Sequence, residues 1–246
     1  MQSTRNVQST KKRAKRKNMK YKHLLFDADN TLWDFDKSEE FALEESLSSA
    51  GINYPSNYRN IYRKVNQKVW RAFEKGTLPQ ERIKTIRMER FLKKINSDAD
   101  PALIAEYYKK HLSSTDYLVD GARELMDDLL QKGYQMTMVT NGLEDIQKAR
   151  LINTKFASYF NAIIISEEIG LSKPHAPYFE YTFDKIGNPD KSEVLMIGDS
   201  LNSDIRGGNQ FGIDTCWFNP ERKYNNNKIR PTYSIGKLEE LYDIIQ

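Results

Sequence analysis

Apolar and polar positions alternate along this chain in two different textures. Residues 21–27, Tyr-Lys-His-Leu-Leu-Phe-Asp, read as a short buried strand that runs into a polar loop at 28–31. From residue 36 to 116 the apolar positions recur at helical spacing. They group as Phe41, Leu43 and Leu47; Ile61, Val65, Val69, Trp70 and Phe73; Ile83, Ile86, Met88, Phe91 and Leu92; and Leu103, Ile104, Tyr107 and Tyr108. Breakers separate the groups: Gly51 and Pro55, Gly76 and Pro79, and the polar stretch 98–101. This pattern predicts four amphipathic helices and no strand. Beyond residue 116, helical stretches at 122–131, 144–151, 178–186 and 202–209 each precede an apolar strand, at 134–139, 162–166, 193–197 and 215–218, and a last helix is predicted at 237–244. Strands alternating with helices predict parallel βαβ units. The fold class is therefore α/β, a doubly wound parallel sheet built from residues 21–35 and 117–246, with an all-helical insert at 36–116. No internal repeat is present.

Composition narrows the classes. A chain of 246 residues with 39% hydrophobic and 29% charged residues is neither low-complexity nor collagen-like. Its apolar runs are strand-sized, well short of the roughly 20 residues of a membrane-spanning helix, so no membrane partner is expected. Cys216 is the single cysteine, which excludes an internal disulfide and a CxxC metal site and agrees with a cytoplasmic location. No Gly-rich P-loop occurs, so ATP is not implied. The net charge of +4 is unevenly spread. Eight of the 38 basic residues, and no acid, lie in 1–20, which leaves 30 basic against all 34 acidic residues in the remainder, a formal −4. Residues 1–20 hold little to bury and read as a disordered basic leader. Met19 stands just before the first strand, where translation would begin if the leader were not part of the natural protein.

In doubly wound sheets, ligands bind beyond the carboxyl ends of the strands. The polar residues closing each strand are therefore the candidates. The first strand closes on Asp27-Ala28-Asp29, the second on Thr140-Asn141-Gly142 and the fourth on Gly198-Asp199-Ser200, with Asp204 five residues on. Lys173-Pro174 lies between the third and fourth. Asp27 and Asp199 could supply two oxygens to Mg²⁺, which takes hard oxygen ligands and keeps positions for substrate phosphate. Lys173 adds a fixed positive charge. Thr140 offers a hydroxyl, and Asn141 and Gly142 offer backbone N–H groups. Such a set neutralises spread negative charge, the main task in phosphoryl transfer. Each fragment alone is a common turn; their joint order is what points to chemistry.

These residues carry a resemblance. Phe26-Asp27-Ala28-Asp29-Asn30-Thr31-Leu32, Thr140-Asn141-Gly142, Lys173-Pro174 and Gly198-Asp199-Ser200-Leu201-Asn202-Ser203-Asp204 resemble, in order, the four motifs of the haloacid dehalogenase-like hydrolase superfamily, over the chain from about Lys20 onward. A helical insert just after the first motif is similar to that superfamily's type 1 cap. Residues 165–170, 187–190 and 214–219 look like the pyrimidine 5′-nucleotidases that remove non-canonical nucleotides. Val119-Asp120-Gly121 departs from relatives, which commonly carry Pro-Gly there.

The resemblance implies a Mg²⁺-dependent phosphomonoester hydrolase acting on a small-molecule substrate, a nucleoside (pyrimidine) 5′-monophosphate. It implies Asp27 as nucleophile forming an aspartyl-phosphate and Asp29 as general acid and base. Asp27, Asp29 (through its backbone carbonyl) and Asp199 would hold the metal, with Asp204 supporting them. Thr140, Asn141, Gly142 and Lys173 would bind the phosphoryl group, with Lys173 also orienting Asp27. Phosphoglycolate or sugar-phosphate hydrolysis is the alternative on the same motifs. A 2-haloacid dehalogenase is disfavoured by Asp29, which such enzymes lack. Nucleic-acid binding through the basic leader would leave the acidic set without a role. Trp33, Tyr58, Trp70 and Phe73 are candidates for stacking on a base, although the i, i+3 spacing of Trp70 and Phe73 equally suits a helix core.

Overall fold

Six parallel strands form one sheet in the order β3-β2-β1-β4-β5-β6. The computed structural model describes residues 19–225 and 228–245. The strands are β1 (His23–Phe26), β2 (Gln135–Thr140), β3 (Ala162–Ile165), β4 (Val194–Gly198), β5 (Asp214–Phe218) and β6 (Tyr233–Ile235). The helices are α1 (Phe35–Ser49), α2 (Asn57–Glu74), α3 (Gln80–Lys94), α4 (Pro101–Ser113), α5 (Ala122–Lys132), α6 (Glu144–Thr154), α7 (Ala176–Lys185), α8 (Arg206–Phe211) and α9 (Tyr242–Ile245), with one further helical turn, Ser166–Ile169, directly after β3. The sheet is of the doubly wound kind that the sequence predicts, with helices on both faces. Among the described residues no helix is long and apolar enough to cross a membrane.

Strand alternation sends successive side chains to opposite faces. Leu24 and Phe26 of β1, with Leu195 and Ile197 of β4, pack under α5 and the chain end at Leu238, Leu241 and Ile245. Leu25, Val194 and Met196 face the other way, against Tyr178, Phe179 and Phe183 of α7. Both faces are covered, which is why these strands read as continuous apolar runs. Helices α1 to α4 bury a separate cluster around Leu43, Leu47, Tyr62, Phe91 and Tyr108, joined by Leu143 and Ile146 at the start of α6. Local caps fix their ends. The Asp34 carboxylate accepts from the Lys37 N–H at 2.9 Å to start α1. Asp100 does the same for Ala102 at 2.9 Å, with Pro101 in the first turn of α4.

Three details differ from the sequence reading. β6 is not among the predicted strands; at three residues it is too short for a period to show. The helix predicted at 202–209 opens as a π-helical turn, Leu201–Ile205, before α8. The last helix divides into a 3₁₀ turn, Leu238–Leu241, and α9. Residues 1–18 of the basic leader lie outside the described residues. Met19 packs against the core, and the Lys20 ammonium donates to the Tyr233 hydroxyl at 2.5 Å.

β4 is one of the sheet's two central strands. Leu195→Ala removes a fully buried side chain there. The expected cost is about 2–5 kcal/mol of unfolding free energy, measured by urea denaturation.

Candidate active site

β1 lies between β2 and β4, the place where the strand order reverses. Its last residue, Phe26, is in register with Met138 and Ile197, so Asp27 projects beyond the strand end at the level of Val139 and Gly198. The Asp27 N–H donates to the Ile197 carbonyl at 2.9 Å, which pins its backbone to β4. Asp199 follows the end of β4, and its carbonyl accepts the Trp217 indole N–H at 2.8 Å. Asp204 comes back from the π-helical turn and accepts the Ser200 N–H at 3.0 Å. A Cβ on Gly198 would collide with the Asp204 carboxylate, so the glycine makes the room for it. Asp27, Asp199 and Asp204 each offer an oxygen within 4.8 Å of the others.

Lys173 completes this group. Its side chain is 1% exposed, and its ammonium donates to Asp27 Oδ1 at 2.6 Å, Asp204 Oδ1 at 2.8 Å and the Val139 carbonyl at 2.6 Å. The loop is held in place by Asn141, whose amide accepts the Lys173 N–H at 2.9 Å and donates to the Lys173 carbonyl at 2.8 Å. Asn141's side chain is thus occupied in joining the second and third sequence motifs. Thr140 Oγ1 accepts the Gly142 N–H at 2.9 Å, tightening the turn.

The electrostatics follow from burial. Burial pushes the Asp27 carboxyl up to about 7, and repulsion from Asp204 adds to this while Lys173 opposes it. Asp199 is held well above the carboxylate range by burial, then by Asp27 and Asp204. Burial alone would lower the Lys173 ammonium, but Asp204 and Asp27 outweigh it and raise it. Three carboxylates against one ammonium leave two uncompensated negative charges when all are ionised. An all-oxygen donor set with that deficit fits a hard divalent cation. Asp204 is engaged by Lys173, Ser200 and Ser203, so the oxygens best placed for an ion belong to Asp199 and Asp27.

In an extended stretch Asp29, two residues after Asp27, would face the same side as it; here it does not. The Ala28 carbonyl accepts the N–H groups of Thr31, Leu32 and Trp33, and Asn30 adopts a left-handed φ of 60°. This turn directs Asp29 toward α6, where Arg150 Nη1 donates to Oδ1 at 2.5 Å and Gln147 Nε2 to Oδ2 at 2.8 Å. Neither partner stood out in the sequence. Their signal was an i, i+3 pair on the helix directly after Thr-Asn-Gly.

Of the aromatic candidates, Trp33 is fully buried against Phe156, with ring centroids 5.4 Å apart, and Tyr58 packs on Phe91 at 5.9 Å. Trp33 is therefore not free to stack on a ligand, and Tyr58 is partly buried in the helical block. Trp70 and Phe73 form a T-shaped pair at 5.8 Å near the end of α2. The next helix, α3, opens with Gln80, which donates to Ser166 Oγ at 3.0 Å and the Asn141 carbonyl at 3.4 Å. The α2–α3 turn therefore meets the core beside the motif loops. A cavity of about 540 Å³ opens at Asp199 and runs past Asn30, Asp34 and Asp120 to Trp217 and Lys223. That volume is in the range of small-molecule sites.

The sequence pattern described as haloacid dehalogenase-like hydrolase matches residues 21–212. YfnB of Bacillus subtilis, described as a HAD-hydrolase, is 39% identical over 92% of this chain and 96% of its own. Its magnesium-bound crystal structure, described as revealing interdomain movement, superposes with a TM-score of 0.86 over 92% of this chain and 98% of that one. Pyrimidine 5′-nucleotidase PynA of Streptococcus pneumoniae is 35% identical over 92% of this chain and 96% of its own. Pyrimidine 5′-nucleotidase YjjG of Escherichia coli is 30% identical, over 92% and 99%.

The carboxylate cluster carries a stability prediction. A carboxyl raised in the folded state favours folding while protonated, and that contribution is lost as pH rises through its folded pKa, about 7 for Asp27. Asp199→Asn removes one buried like charge. In EDTA at pH 8 it is expected to raise Tm by about 2–4 °C, the shift that roughly 1 kcal/mol produces in a chain of this size. At pH 5, below the folded pKa of Asp27, the gain should shrink by differential scanning fluorimetry.

Proposed function

This chain belongs to the haloacid dehalogenase-like hydrolase family, and we propose that within it the chain is a Mg²⁺-dependent phosphomonoesterase acting on pyrimidine nucleoside 5′-monophosphates through an aspartyl-phosphate. The observation that carries this reading is the convergence of Asp27, Asp199 and Asp204 at the strand-order switch, with Lys173 paired to Asp27 and Asp204. A rim short of two positive charges suits a divalent ion, and such an ion in turn a phosphoryl group, better than it suits a haloacid, whose displacement calls for no metal.

Asp27 and Asp199, with the Asp29 backbone carbonyl, would hold magnesium, which supplies charge neutralisation to the phosphoryl oxygens. The protein's own residues do the rest. Asp27 attacks phosphorus in line, its oxygen–phosphorus bond forming as the ester bond breaks. Asp29 gives its proton to the departing alkoxide. A water then attacks the aspartyl-phosphate and passes a proton back to Asp29. Phosphate departs and the Asp27 carboxylate is restored. Lys173 orients Asp27 and offsets charge; the Thr140 hydroxyl, which accepts the Gly142 N–H and keeps its own proton to donate, and the Asn141 N–H hold phosphoryl oxygens, with Gly142 fixing the turn. Helices α1 to α4 act as the cap, with Gln80 as its contact to the motif loop. The interdomain movement described for YfnB supports such closure. Trp70 and Phe73 offer ring surface to a base, and the nucleotidase names of PynA and YjjG support that substrate class. The lone buried Cys216 suits a cytoplasmic enzyme.

Phosphate release from uridine, deoxyuridine, thymidine and purine 5′-monophosphates, phosphoglycolate and sugar phosphates tests this, with and without EDTA. Pyrimidine nucleotides should lead and EDTA should abolish release. Asp27→Asn should lower turnover by at least about 10³-fold and leave no trapped phosphoenzyme. A lead by a sugar phosphate would overturn the substrate class; normal turnover by Asp27→Asn would overturn the mechanism.

A further inference from the structure

We infer that Arg150 and Gln147 form a clamp that aims the Asp29 carboxylate at the leaving-group oxygen and keeps it out of the metal-binding cluster. They are positioning residues, acting through Asp29. The inference rests on the phosphatase reading above and adds two residues to it.

Arg150 is fully buried and Gln147 is 1% exposed, and both spend their polar ends on one carboxylate. Arg150 Nε and Nη2 have no protein partner among the described residues. Burying a guanidinium with so few bonds is costly, and among the described residues it has no other ion pair. Its single carboxylate partner is the one proposed to move protons. Gln147 reaches Asp29 only because residue 142 lacks a side chain: a Cβ there would run into the Gln147 amide. The glycine of the phosphoryl-binding turn thus also admits the clamp.

The clamp has a physical task. Asp29 lies two residues from Asp27, and without restraint its carboxylate could swing in to join Asp27, Asp199 and Asp204 around a cation. Bidentate contact from two side chains fixes its direction instead. Each carboxylate oxygen has two acceptor directions, so one donor per oxygen leaves the other open toward a substrate.

The test uses leaving groups. A nucleoside 5′-monophosphate releases an alkoxide that needs the Asp29 proton, whereas p-nitrophenyl phosphate releases a phenolate that does not. In Arg150→Met, kcat/KM for uridine 5′-monophosphate should fall by about 10²-fold or more, the scale of general-acid assistance, and that for p-nitrophenyl phosphate by less than about tenfold. The second half-reaction still needs Asp29 as base, so the variant should also show a burst of p-nitrophenolate stoichiometric with enzyme. Arg150→Lys should recover part of the loss. Gln147→Leu, which deletes one bond without removing the buried charge, should move the same ratio in the same direction and covers the case in which Arg150→Met does not fold. Equal losses on both substrates, or no loss, would overturn the clamp while leaving the phosphatase reading intact. A wild-type chain that hydrolyses neither ester would overturn both.

Discussion

The structure turns on an unbalanced charge. Three carboxylates and one ammonium are gathered at the reversal of strand order, with Lys173 almost wholly enclosed. Left alone, such a group works against folding, since burial raises Asp27 and Asp199 and each repels the other. The surrounding fold is arranged to hold it nonetheless. Asn141 fastens the Lys173 backbone, Gly198 yields space to Asp204, and Ser200 ties Asp204 back to the end of β4. Sites that oppose stability in this way are where function is expected, because nothing in packing alone would retain them.

Much of this was legible in the sequence. Strands buried on both faces appear as apolar runs, and a polar residue directly after each run marks the carboxyl rim, so Asp27, Thr140 and Asp199 could be placed from order alone. What the sequence could not carry was direction. Asp29 follows Asp27 at the spacing of one strand face, yet the turn at Ala28 and the left-handed Asn30 send it elsewhere. Trp33 looks like a free aromatic in a polar loop and is instead core against Phe156. In both cases a local backbone reversal decides the outcome, and hydrophobic periodicity does not register it.

Helix α6 shows the other limit. Ile146 packs into the cluster of the α1–α4 block, while Gln147 and Arg150 on adjacent positions reach Asp29 of the sheet. In sequence, α6 is an ordinary amphipathic helix. Its importance comes from standing between two apolar clusters far apart in the chain, and only the three-dimensional arrangement reveals that. A helix anchored by apolar contact on one side and by an ion pair on the other couples the placement of the block to the placement of Asp29.

That coupling bears on how two identical side chains, separated by one residue, take different parts in the proposed chemistry. Asp27 is set among other carboxylates and bound to Lys173, an environment in which its charge is costly until a cation arrives. Asp29 faces a guanidinium and an amide, apart from the carboxylate cluster. Divergent surroundings are the general means by which a pair of carboxyls divides nucleophile from acid and base. Here the division is made by the short turn after β1. It delivers one carboxylate to the sheet's rim and the other to a helix, and the distinct elements behind each keep the two from exchanging places.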